Sequence, residues 1–143
     1  GVVGNLYGAK VEAGAASENT VSVSGTSKLA GDIYGARAKG NATNNKVTIT
    51  GGEVYGDYIY GGYSETGNAT GNVITIDGHD FDQIDAAVKS AKASDKPFAI
   101  IAKTVKGKGV SYMENKCEWH GSAPKTEQYE IGMQDLENAV LVK

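Results

Sequence analysis

Val73-Ile74-Thr75-Ile76-Asp77-Gly78-His79-Asp80-Phe81 is the stretch on which the reading of this chain turns. Up to Asp77 apolar and hydroxyl side chains alternate with a period of two, the pattern of a half-buried strand, whereas from Asp80 the apolar positions recur every three to four residues. Composition changes at the same place. Sixteen of the 20 glycines and six of the eight tyrosines precede Gly78 or include it, and both prolines, both histidines, the single Trp and the single Cys follow it. The sequence therefore divides into residues 1–78 and 79–143, with the strand at 73–76 belonging to both halves.

Working back from the junction, the segments Asn5-Leu6-Tyr7-Gly8-Ala9, Asp32-Ile33-Tyr34-Gly35-Ala36 and Tyr58-Ile59-Tyr60-Gly61-Gly62 repeat with a period of about 26 residues. Each leads to a second alternating run: Asn19–Gly25, Lys46–Gly51 and Asn72–Gly78. Short strands at a fixed period, with Gly and Asn at the corners, predict about three coils of a β-solenoid-like repeat, each coil stacking its apolar positions on the next. Asn41-Ala42-Thr43 and Asn68-Ala69-Thr70 read as Asn-containing turns rather than glycosylation sites, and Tyr7, Tyr34 and Tyr60 as a structural ladder. The half resembles the Gly/Asn/Thr-rich repeats of bacterial autotransporter adhesins, which implies a cell-surface location.

Forward of the junction, Phe81, Ile84, Val88 and Ala91 define one face of a helix over 80–93, with Asp80 as cap and Gln83 completing a capping box. Pro97 disfavours helical geometry in the residue before it, so the helix is expected to stop by Lys96. The apolar run Phe98-Ala99-Ile100-Ile101-Ala102 then reads as a strand covered on both faces, beside 73–76 in one crossover unit. A closing helix is expected from Thr126 to Asn138, with Tyr129, Met133, Leu136 and Val140 on one face. The fold class expected is thus mixed: a β-solenoid-like repeat joined to a partial α/β segment.

The net charge of -3 is spread evenly, with 7 acids against 5 bases up to Gly78 and 10 against 9 after it. Nothing points to nucleic acid, and no run is long and apolar enough for a membrane span. Cys117 is alone, so no internal disulfide is expected. The opening Gly1-Val2-Val3-Gly4 is unlike a signal peptide and lacks an initiating Met, which leaves room for an upstream portion.

Read whole, Ile76–Phe81, Lys96–Gly109, Met113-Glu114-Asn115 and Trp119-His120-Gly121-Ser122-Ala123-Pro124 closely resemble transketolase, at the end of its diphosphate-binding domain or of the N-terminal subunit where the enzyme is split. The resemblance covers residues 76–138. It implies transfer of a two-carbon ketol unit between sugar phosphates, with thiamine diphosphate and Mg²⁺ as cofactors, a C-terminal subunit or second copy as partner, and a cytoplasmic setting. It also implies that Lys106 and His120 contact the cofactor's diphosphate, His120 facing the sugar substrate as well; a Lys charge and an imidazole donor suit phosphate oxygens. The family's metal motif, Gly-Asp-Gly with an Asn some residues on, does not occur: Gly31-Asp32 and Gly56-Asp57 are not followed by Gly. No metal ligand is therefore assigned, and the expectation is a chimera, inactive alone. The alternative is a non-catalytic surface protein whose second half caps the repeat; a third reading is an aggregation-prone fragment.

Overall fold

The computed structural model describes residues 4–141. Every alternating run found in the sequence is a strand, and every strand pairs in parallel with its equivalent in the neighbouring repeat, 25 to 27 positions away. Leu6–Tyr7, Ile33–Tyr34 and Ile59–Tyr60 make one three-stranded sheet; Lys10–Val11, Arg37–Ala38 and Tyr63–Ser64 a second; Ala16–Ser17, Ala42–Thr43 and Ala69–Thr70 a third. Lys28–Leu29 pairs with Glu53–Val54. The longest sheet holds β1 (Thr20–Val23), β2 (Lys46–Ile49), β3 (Val73–Asp77) and β4 (Ile100–Lys103), in that spatial order. Two helices follow β3 in sequence, α1 (Phe81–Ala93) and α2 (Thr126–Leu141).

The expected fold class, a mixed one with a β-solenoid-like repeat joined to a partial α/β segment, is corrected by these pairings. The architecture is a parallel-sheet α/β one, with five short parallel sheets and two α-helices among the described residues. The reason lies in β3. On one edge it pairs with β2 (Ile74 with Val47) and on the other with β4 (Ile74 with Ile100), so a single sheet runs straight through the compositional junction. The strand–helix–strand unit β3-α1-β4 is therefore a continuation of the sheet. Two compact units are present, Gly1–Lys103 and Thr104–Lys143.

In the first unit the inward positions of the strands, Val21, Val23, Ile33, Val47, Ile49, Ile59, Ile74 and Ile76, form one buried cluster with Leu29, Val54, Ala86 and Ala87. The rows approach closely where glycine allows it. A Cβ on Gly35 would run into the carbonyl oxygen of Gly61, and one on Gly8 into that of Gly35. Glu18, Asn44 and Gly71 hold equivalent corners, all with left-handed backbone (φ 60°, 55° and 65°), and two of the three are residue types that tolerate it.

Two buried polar devices fix the rows. Asn45, 1% exposed, accepts through Oδ1 from the backbone N–H (3.0 Å) and Nδ2 (2.9 Å) of Asn19, and donates from Nδ2 to Asn72 Oδ1 (3.0 Å). Along the same axis the rings of Tyr7, Tyr34 and Tyr60 stack with centroids 5.0 and 5.3 Å apart. Burial raises the Tyr34 hydroxyl pKa well above the ordinary phenol value, and the Asp32 carboxylate adds to the effect.

α1 forms as expected but packs on a different face. Asp80 caps it, accepting from the N–H of Asp82 and of Gln83 (both 3.1 Å), and Ser94 ends it. The buried side is Gln83, Ala86, Ala87 and Ser90, whereas Phe81 is 84% exposed and Val88 39%. Close helix–strand packing favours small residues here, and two polar side chains complete the contact. Ser90 Oγ accepts from Ile59 N–H (2.7 Å), on an edge strand, and Gln83 Oε1 from Asp77 N–H (3.0 Å), at the end of β3, satisfying both amides. β4 is likewise not covered on both faces. It is the outer strand of its sheet, with Ile101 half exposed.

Candidate functional site

Thr104–Lys143 holds both residues singled out for anion contact. The Val105–Val110 run folds into successive tight turns, with Lys108 N–H donating to Val105 O (3.2 Å) and Val110 N–H to Gly107 O (3.2 Å). Left-handed glycines make this possible: Gly107 has φ 69° and Gly109 φ 90°, and a Cβ on Gly107 would lie 2.6 Å from Met113 O. The loop is closed by Asn115, also left-handed, whose N–H donates to Lys106 O (2.9 Å). Glu114 Oε1 accepts from Gly109 N–H (3.0 Å).

His120 ends a single 3₁₀ turn, Cys117–His120, anchored by Trp119 packing edge-on against Tyr112 with centroids 5.0 Å apart. Lys106 and His120 both project exposed side chains, and no hydrogen bond or ion pair joins them. Their backbone is thus held by turns, while their side chains are left to solvent. One neighbour missed in the sequence is the Ser111–Asp135 pair. Ser111 donates from its N–H (2.8 Å) and its Oγ (2.7 Å) to Asp135 Oδ2, and these bonds hold the Asp135 carboxyl below its usual range. Their 24-residue separation gave no local signal.

In α2, Tyr129, Met133 and Leu136 are exposed, and Gly132 is buried where Tyr112 and Val110 approach it. The side chain of Val140, placed on the same stripe from the sequence, lies outside the described residues.

The carboxylates of the two Gly-Asp pairs, Asp32 and Asp57, make other contacts. Asp32 Oδ1 accepts from the N–H of Asp57 and of Tyr58 (3.1 Å each), and Asp57 Oδ1 accepts from Lys89 Nζ (3.1 Å). Among the described residues no three His, Cys, Asp or Glu side chains gather as a metal would require. In the tyrosine ladder the rings stack on one another, Tyr7 on Tyr34 and Tyr34 on Tyr60, and Tyr34 and Tyr60 are buried. No helix among the described residues is long and apolar enough to cross a membrane.

The model of the family described as "Transketolase, thiamine diphosphate binding domain" matches residues 10–136. The chain belongs to this family. The match enters the Gly-rich half as well, and the resemblance of residues 5–78 to autotransporter adhesins finds no support. Similar proteins include one of the subunits of the apulose-4-phosphate transketolase of Actinobacillus succinogenes, 33% identical over 61 residues, 43% of this chain and 22% of that protein. The 1-deoxy-D-xylulose-5-phosphate synthase of Campylobacter jejuni subsp. doylei is 42% identical over 67 residues, 46% of this chain and 9% of that protein. The 6-deoxy-6-sulfo-D-fructose transketolase subunit SqwG of a Clostridium species is 40% identical over 61 residues, 42% of the chain and 22% of that protein. The chain thus spans 22% or less of the length of these transketolase-family relatives. No solved structure matches it.

Proposed function

We propose that this chain is a transketolase-type segment that keeps the strand–helix–strand frame and the phosphate-facing loops of its family but does not by itself complete a thiamine diphosphate site. The observation that carries this reading is the β3-α1-β4 unit, continued by the Lys106 and His120 loops, inside a family match over residues 10–136. On this reading Lys106 and His120 meet the oxygens of a diphosphate or sugar phosphate, Lys106 as a point charge and His120 as an imidazole donor. The partner is a C-terminal transketolase subunit, in keeping with relatives that are themselves named as single subunits of a transketolase, or a second copy of the chain.

The described residues do not fit the cofactor with its metal. Thiamine diphosphate, when bound, supplies the carbanion chemistry of the family, and its diphosphate needs a divalent counter-charge. Here Asp32 and Asp57 are consumed by row-to-row and helix contacts, and neither the cavity beside Pro97–Ala99 nor the one beside Ser111 and Asp135 is lined by a basic side chain. We read the junction at residue 78 as the meeting of two segments of separate origin, residues 1–78 standing where the metal-binding part of such a domain would be.

A coupled sugar-phosphate assay with thiamine diphosphate and Mg²⁺, with and without the C-terminal subunit of a split transketolase, tests this. No turnover is expected in either case, and ketol transfer above background overturns the reading. Inorganic diphosphate is expected to perturb the NMR signals of His120 in the full chain, and to do so less in Lys106→Ala.

A further inference from the structure

The period that brings Ile100 opposite Ile74 places Phe98 where a fourth Asn would follow Asn19, Asn45 and Asn72, and Pro97 where Gly71 would recur. Pro97 has no N–H for a ladder and Phe98 cannot extend an amide ladder, so after α1 no strand forms before Ile100, although Phe98 packs on the core edge-on to Tyr60. What remains is a cavity of about 430 Å³ between Pro97-Phe98-Ala99 and the edge formed by Ala69, Thr70, Gly71 and Asn72. Ala69–Thr70 is the last strand of its sheet.

The two earlier steps of that sheet show what the edge accepts. Ala16 N–H donates to Asn41 O and Glu18 N–H to Thr43 O; one row on, Ala42 N–H donates to Asn68 O and Asn44 N–H to Thr70 O. The same step repeated would have Ala69 N–H and Gly71 N–H donating into the cavity. The Asn ladder runs the same way, with Asn19 N–H bound to Asn45 Oδ1 and Asn45 N–H to Asn72 Oδ1, which leaves Asn72 N–H as the next donor. The inward column is Ala16, Ala42, Ala69, so only a small side chain fits beneath the next row.

We propose that this edge is a binding site for an extended peptide of the pattern Asn-Ala-Thr-x-Asn, added as a parallel strand. The occupant is set by the register already present: the segments Gly40–Asn45 and Gly67–Asn72 both carry Gly-Asn-Ala-Thr-x-Asn, and one is seated on the other through these bonds. Main-chain bonds supply the affinity, the small inward position and the Asn amide the selectivity.

The test titrates the full ¹⁵N-labelled chain with the capped heptapeptide Gly-Asn-Ala-Thr-Asn-Asn-Lys. Saturable shifts of the Ala69, Gly71 and Asn72 amides are expected. Affinity is expected to fall about tenfold or more for a scrambled peptide, for one N-methylated at Thr, and for the variant Ala99→Trp, which fills the cavity from an exposed position. The N-methylated peptide leaves the protein untouched, so misfolding of the Trp variant cannot obscure the result. Unmoved edge amides, equal binding of the scrambled or N-methylated peptide, or shifts that follow chain concentration without peptide, which would mark pairing with a second copy, each overturn the proposal.

Discussion

Replacing Asn45 by Ala deletes the middle rung of the asparagine ladder, and its cost follows from the bonds the side chain makes. Four are lost: two accepted from Asn19, one donated to Asn72 Oδ1, and a longer one of 3.3 Å donated to Ala16 O. At a net 0.5 to 1.5 kcal/mol for each ordinary bond, with the long one at the low end and Asn19 N–H left without an acceptor, the sum is about 3 kcal/mol. For a unit of this size that lowers Tm by roughly 12–20 °C. Asn19→Ala loses only its Nδ2 bonds to Asn45 and Ser17, at a partly exposed position where water replaces them, and should cost about 1 kcal/mol. Asn45→Asp is the stricter variant. It keeps the shape but turns an oxygen toward Ala16 O and Asn72 Oδ1, so it should be at least as damaging as Ala. The assay is urea unfolding followed by near-ultraviolet dichroism of the stacked tyrosines. Losses for Asn45→Ala and Asn19→Ala within about 0.5 kcal/mol of each other would refute the argument that the buried rung holds the rows together.

Gly35→Ala should destabilise by about 2 kcal/mol or more, because the new methyl meets Gly61 O on a neighbouring row; Gly121→Ala, with open space around it, should change thermal unfolding by less than about 0.5 kcal/mol. Ser90→Ala leaves the buried Ile59 N–H without its acceptor and should cost about 1–3 kcal/mol, with faster hydrogen exchange at that amide as the specific readout. Because Ser111 depresses the Asp135 carboxyl, its stabilisation is present above the ordinary carboxylate pKa and is lost as pH falls through the lower folded value. Asp135→Asn should therefore flatten the acid limb of the stability profile of the second unit, and an unchanged limb would remove the pair as its cause.

The strands were legible where burial alternates, as in Thr20–Val23 and Lys46–Ile49, in which Val21, Val23, Val47 and Ile49 are buried and the hydroxyl and Lys side chains between them are not, and the 26-residue period carried their partners. α1 was legible from Asp80 and Gln83, yet its apolar stripe is not its buried face. Hydrophobicity nominates Phe81 and Val88, whereas the close approach to Ile59–Tyr60 selects Ala86, Ala87 and Ser90, and a Ser that supplies an acceptor is invisible to an apolar periodicity. The strand at 73–76, shared by both halves, and its neighbour after Pro97 were legible too, and they pair as β3 and β4; what departs from expectation is the fold class, since the whole is a parallel-sheet α/β architecture. At the candidate site the Ser111–Asp135 pair could not be placed from sequence, since nothing local links residues so far apart.

The near-constant spacing of the rows bears on folding kinetics. From Leu6 with Ile33 to Ile74 with Ile100, each pairing in the first unit closes a loop of nearly the same length, even where that loop contains a helix rather than short strands. Loop-closure entropy is then nearly the same for every row, so chain connectivity favours no row as the place to begin. Folding order falls to local differences in side-chain packing. A mutational scan of folding rates should accordingly follow residue burial and be indifferent to position along the chain, and a nucleus confined to one row regardless of packing would contradict it.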